Sequence, residues 1–152
     1  MKYRIMLSLI LVGLLAFLAA CSVPGTGSTT PTSQATAPST PTVYVTLLDT
    51  SLTSSVTSFT TGTTYHFVVT NDEHQPYTFA MMAQNREQEM EHMSMMDRQR
   101  AALHMIETIA SGQTVAFNYM FNSSMMGQPL EFACYQQGSN QIFMRLPFTM
   151  QP

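Results

Sequence analysis

The chain has 152 residues, of which 45% are hydrophobic and only 10% charged, with a formal net charge of −3. Beyond residue 20 it contains no lysine, and its four arginines (Arg86, Arg98, Arg100 and Arg145) face nine acidic residues, a net charge of −5. That balance excludes a protein that grips nucleic acid through a basic surface. No Ser-His-Asp arrangement, paired-carboxylate motif, phosphate loop or dinucleotide fingerprint occurs, so the sequence points away from an enzyme.

At the N-terminus, Lys2 and Arg4 precede an apolar run from Ile5 to Leu18, and small residues lead to Cys21. The length and flanks are those of a secretory signal rather than a membrane helix. Leu18-Ala19-Ala20-Cys21 resembles the bacterial lipobox, which implies removal of residues 1–20, a lipidated Cys21 and an exported protein anchored to the outer face of a membrane. Residues 21–42 are Ser, Thr, Pro and Gly with little apolar content, a disordered tether kept extended by Pro24, Pro31, Pro38 and Pro41. With few basic side chains to hold anionic headgroups, anchoring depends on the acyl chains. The remaining thiol, Cys134, has no disulfide partner besides the lipidated residue. In an oxidising compartment such a thiol is buried, reactive or a metal ligand.

Residues 43–152, about 110 of them, read as one small domain. Alternating β-branched residues predict a strand over Val43–Leu48, and Ser51–Phe59 reads as a second, more polar one. Gly62 turns into a strong strand at Thr64–Thr70, which Asn71-Asp72-Glu73 breaks. Tyr77–Ala80 restarts extended structure. After an unusual segment at 80–105, strands are expected at Ile106–Ala110, Thr114–Phe121, Leu130–Tyr135 and Phe143–Met150. Seven or eight short strands with polar turns indicate an all-β sandwich.

Leu130–Met150 reads as a strand ending in Cys134, a loop turning at Gly138, Met144 and a closing strand. Together with Tyr65-x-Phe67-Val68-Val69-x-Asn71 and the Ser111-Gly112-Gln113 turn, this order resembles the cupredoxins, the plastocyanin and azurin family. The resemblance covers residues 43–152 and implies a Greek-key β-sandwich with a Met-rich helical insertion at 80–105. It also implies a copper site: in the family a cysteine, a histidine five residues later and a methionine ten residues later ligate one copper ion. Cys134 and Met144 keep those spacings, but Ser139 stands in the histidine slot. The other histidine of the family corresponds to Tyr77, in Pro76-Tyr77-Thr78-Phe79. A blue centre needs a thiolate, two imidazoles and a weak axial thioether, so the inherited set is half replaced. His74, in the same loop as Tyr77, is the candidate substitute in an atypical electron-transfer centre, and His66 lies within a strand, between Tyr65 and Phe67. A lone histidine in such positions is more often a surface or hydrogen-bonded residue.

The segment 81–105 holds seven methionines and two histidines in 25 residues. Its Glu, Gln, Arg, Ala and Met favour helix, and without Gly or Pro a single helix is expected from about Asn85 to Met105. Helical spacing then brings Met90, Met93 and Met96 together with His92. Thioether and imidazole select Cu(I) or Ag(I), while the same methionines also suit core packing or an adaptable protein contact. The expected role is therefore a membrane-anchored copper-binding protein that sequesters or transfers Cu(I). Its expected ligands are Cys134 and Met144 at the ancestral site and Met90, His92, Met93 and Met96 on the insertion. A copper-handling or respiratory protein is the expected partner. The alternatives are a metal-free module docking through its Met-rich helix, or electron transfer through an atypical copper centre.

Overall fold

A computed structural model of the chain describes residues 39–48, 50–84, 86–139 and 141–152. The signal segment, Cys21 and most of the tether lie outside those residues. Among the described residues no helix is long and apolar enough to cross a membrane.

Among the described residues, nine strands form two sheets. They are β1 (Thr42–Leu48), β2 (Ser51–Ser54), β3 (Ser58–Thr60), β4 (Thr64–Asn71), β5 (Tyr77–Ala83), β6 (His104–Ile109), β7 (Thr114–Met120), β8 (Leu130–Gln136) and β9 (Ile142–Gln151). A four-stranded sheet runs β2-β1-β4-β7 and a five-stranded sheet runs β3-β9-β8-β5-β6. The β1/β4 and β3/β9 pairs are parallel and the others antiparallel. The expected sandwich is present.

Period-two alternation sets which side chains face inward. Val43, Val45 and Leu47 of β1 and Tyr65, Phe67 and Val69 of β4 are buried against Phe79, Met81, Phe132, Cys134, Met144 and Phe148 of the other sheet. Phe59 anchors the centre, with Phe121 at 4.9 Å and Phe148 at 5.3 Å between ring centroids, and Phe132 lies 4.5 Å from Phe148. Tilted and edge-on aromatic pairs of this kind add to the area they bury.

Two expectations need correction. Ser51–Phe59 is not one strand: β2 pairs with β1, and β3 joins β9 in the other sheet. The crossover is held by Ser54, whose Oγ donates to the Val56 carbonyl at 2.6 Å. The insertion is likewise two helices, α1 (Glu87–His92) and α2 (Met95–Ala101). Met93 is extended, and Ser94 caps α2 by accepting from the Asp97 N–H at 3.3 Å while donating to Asp97 Oδ2 at 2.7 Å. A Ser with an acidic residue three positions on is a helix-start signal, and it outweighs the uninterrupted helix formers around it. The return strand also starts at His104, two residues earlier than expected.

The insertion explains why β5 and β8 are buried on both faces. Tyr77, Phe79 and Met81 of β5 point into the sandwich, whereas Ala80 and Met82 belong to a second core on the outside of the sheet. Its ends are pinned by backbone bonds from Gln84 N–H to the Pro129 carbonyl and from Leu103 N–H to the Met81 carbonyl, both 2.8 Å.

Candidate metal centre

Cys134 and Met144, two of the ligands expected from the sequence, both belong to the inner core. Cys134 is fully buried, with Phe79 opposite it on β5 and Met144 opposite it on β9. Cys134 and Met144 therefore stand opposite each other across the β8/β9 pair. Burial pushes the Cys134 thiol far above its ordinary value of 9.0.

The remaining positions are closed by other chemistry. Tyr77 is buried, and its ring stacks on Phe143 with centroids 5.8 Å apart. Phe143 sits where the β8/β9 register shifts. Burial, with smaller contributions from Glu73 and Cys134, raises the Tyr77 phenol. Ser139 spends its hydrogen bonds within its own loop: its N–H donates to the Gln136 carbonyl at 3.0 Å and its Oγ accepts from Gln141 N–H at 3.1 Å. His74 is exposed. His66 pairs through Nδ1 with Asn118 Oδ1 at 2.8 Å on the outer face of the four-stranded sheet. The loop before Tyr77 is fixed by Asn71, which donates to the carbonyls of Gln75 at 2.8 Å and Ile109 at 2.9 Å. Among the described residues no three His, Cys, Asp or Glu side chains gather as a metal site. The residues at the ancestral position do not fit a blue copper ion.

The outer face of the five-stranded sheet has a different character. Across its rows, Met82 of β5 stands opposite Glu131 of β8, while Ala80 stands opposite Met105 of β6 and Ala133 of β8. Ala80, Met82, Met90, Ala133 and Tyr135 form one buried cluster, against which Met93, Ala101, Ala102, Met105 and Ile142 pack. Small alanines in the middle of the sheet leave room for the long thioether side chains around them. Four methionines, two from strands and two from the α1 segment, thus share one cluster. The Tyr135 hydroxyl donates to Met82 Sδ at 3.2 Å, and burial raises its phenol to about 12 against the opposing effect of Arg98. The Arg98 guanidinium lies over the Tyr135 ring, 5.8 Å from its centroid.

The expected ligands are therefore divided among three places. Cys134 and Met144 lie in the inner core, and Met90 and Met93 belong to the outer cluster on the opposite face of the sheet. His92 is exposed, and Met96, at 64% exposure, stands on the first turn of α2. The break at Met93-Ser94 removes the continuous helical register that was expected to align Met90, Met93 and Met96. Met82 and Met105 were not among the expected ligands. Their strand alternation with Ala80 and Ile106 would have placed them on the face under the insertion.

A surface groove of about 400 Å³, lined by Gln84, Pro129, Pro147, Phe148 and Met150 among others, contains no charged side chain and offers no cation site.

No protein-family model and no curated protein matches the chain. Solved structures do. Auracyanin from Roseiflexus castenholzii, in its dithionite-reduced form, aligns with a TM-score of 0.55 at 12% identity, covering 76% of this chain and 100% of that one. Auracyanin A from Chloroflexus aurantiacus, a blue copper protein, aligns at 0.53 with 10% identity over 74% of this chain and 100% of that one. An azurin, Az-iso2 from Methylomonas sp. strain J, aligns at 0.52 with 10% identity over 75% and 100%. At these identities the likeness is one of fold alone: the chain is a cupredoxin-like β-sandwich with a short helical insertion.

Proposed function

We propose that this chain is a lipid-anchored, exported protein that binds Cu(I) through methionine thioethers gathered under its helical insertion, for sequestration or transfer. The observation that carries this reading is the packing of Met82, Met90, Met93 and Met105 into one cluster on the outer face of the five-stranded sheet. Thioethers are neutral, soft donors that favour Cu(I) over harder divalent ions and need no deprotonation. Cys134, by contrast, must lose a proton to become a thiolate ligand, and its burial raises that cost. Met96, Met95 and His92 are exposed beside the cluster on the same insertion and serve in this reading as the first capture points. The lipid on Cys21 and the tether hold the domain at the membrane surface. No catalytic step is part of this role, and electron transfer through a blue centre is disfavoured by the ligand set at Cys134.

Anaerobic titration of the full-length chain in detergent with Cu(I), against a chromogenic Cu(I) chelator, tests the proposal. Competition at an affinity on the order of micromolar or tighter is expected. The pair Met82→Leu and Met90→Leu should abolish it while preserving the far-ultraviolet circular dichroism, because leucine replaces the volume without the sulfur. No competition by the wild type contradicts the proposal. A docking role has one observation in its favour, the exposure of Met95 at 39% and Met96 at 64% on α2. Under that role Met95→Leu and Met96→Leu leave partner capture intact and the wild type takes up no Cu(I).

A further inference from the structure

Among the described residues, two buried polar atoms are left unpaired, and both belong to neighbours of the outer cluster. Glu131 is only 3% exposed, and its Oε1 has no hydrogen-bond partner. Arg98 is 6% exposed, and its Nε has none. A buried carboxylate oxygen without a partner is costly, and so is an unpaired buried charge. A fold that retains one calls for an unseen partner such as a water or an ion. Burial raises the Glu131 carboxyl above its ordinary value, in keeping with the missing partner.

Glu131 stands directly across the strand pair from Met82, where opposite side chains on one face are neighbours. The nearby cations do not account for it. The Arg98 guanidinium lies on the face of the Tyr135 ring, a cation–π arrangement. Ion pairs among the described residues join Arg86 to Glu89 and Arg100 to Asp97. Arg145 lies one row along, opposite Ala133, and has interactions of its own.

Four thioethers carry no charge, so a cation bound among them would bring an uncompensated charge out of water. We propose that Glu131 is the anionic partner of that cation, neutralising a soft monovalent ion, Cu(I) or Ag(I), held by Met82, Met90 and their neighbours. This inference rests on the Cu(I) reading above and adds to it the group that makes a buried cation tolerable. Arg98 then opposes the ion, and its position over Tyr135 keeps it from neutralising Glu131 first.

The test uses Ag(I), which has no accessible redox change, titrated into the full-length chain in detergent. Wild type, Glu131→Gln and Arg98→Gln are compared, each with its metal-free melting temperature. Glu131→Gln should weaken Ag(I) binding by at least about tenfold, as removal of a buried counter-charge does, with a melting temperature equal to or above that of the wild type. Arg98→Gln should bind Ag(I) more tightly. Wild-type affinity in Glu131→Gln overturns this inference and leaves the Cu(I) reading standing. Unchanged or weaker binding in Arg98→Gln also overturns it, because removing a cation from beside a buried Ag(I)–Glu131 pair must strengthen that pair, and this outcome decides the matter should Glu131→Gln not fold. A wild type that binds no Ag(I) overturns both.

Discussion

Cys134 and Glu131 are three residues apart on β8, and opposite sides of the sheet give them opposite fates. Cys134 faces the aromatic core, where desolvation raises its thiol, while Glu131 lies on the outer face of the sheet and retains an unpaired oxygen. Cys134→Ser should therefore destabilise the fold by about 1–3 kcal/mol, the cost of burying a hydroxyl in a thiol's place. Chemical denaturation checks this, and Cu(I) affinity should be unchanged. For Glu131 the sign follows from its raised pKa: the contribution of the protonated form is complete below the ordinary value of 4.5 and is lost as pH rises through the folded value. The metal-free wild type should thus fall further below Glu131→Gln in stability as pH rises toward neutrality. Melting curves at matched pH values test the trend, and a gap that narrows with rising pH contradicts it.

At the scale of elements, the insertion forms the covering layer that turns one face of a sheet into a second core. Its shape depends on Ser94, whose capping of α2 redirects the chain between Met93 and Met95. Ser94→Ala should cost about 1 kcal/mol, the usual loss for an N-cap, and hydrogen exchange should quicken across α2 with little change in β4 or β7. Uniform acceleration across the sandwich would contradict that local role. The strands were legible because their alternation is strong, as in Val43-x-Val45-x-Leu47. The helix break was harder to read, because good helix formers surround a single capping pair, Ser94 and Asp97. The division of Ser51–Phe59 was also hidden, since a polar strand gives the same short-range pattern whether it stays in one sheet or crosses to another.

For the whole molecule, the cupredoxin-like sandwich accommodates two separate sulfur-bearing regions. One is the inner core with Cys134 and Met144, on a domain whose Tyr77 and Phe143 form a stacked aromatic pair. The other is the outer methionine cluster. Spacing in the chain revealed the first, because Cys134 and Met144 flank one loop. The second depends on pairings distant in sequence, Met82 opposite Glu131 and Ala80 opposite Met105, which no local window contains. The fold was thus easier to read than the site. A relative with the same strand order would share the sandwich without necessarily sharing these methionines, since fold and function are separable.

Copper K-edge X-ray absorption of the Cu(I)-loaded full-length chain tests the central claim most directly. A first shell dominated by sulfur, retained in Cys134→Ser and lost in the Met82→Leu, Met90→Leu pair, is the predicted result. A sulfur shell that disappears with Cys134→Ser and survives the methionine substitutions would place copper at the ancestral site and contradict the account.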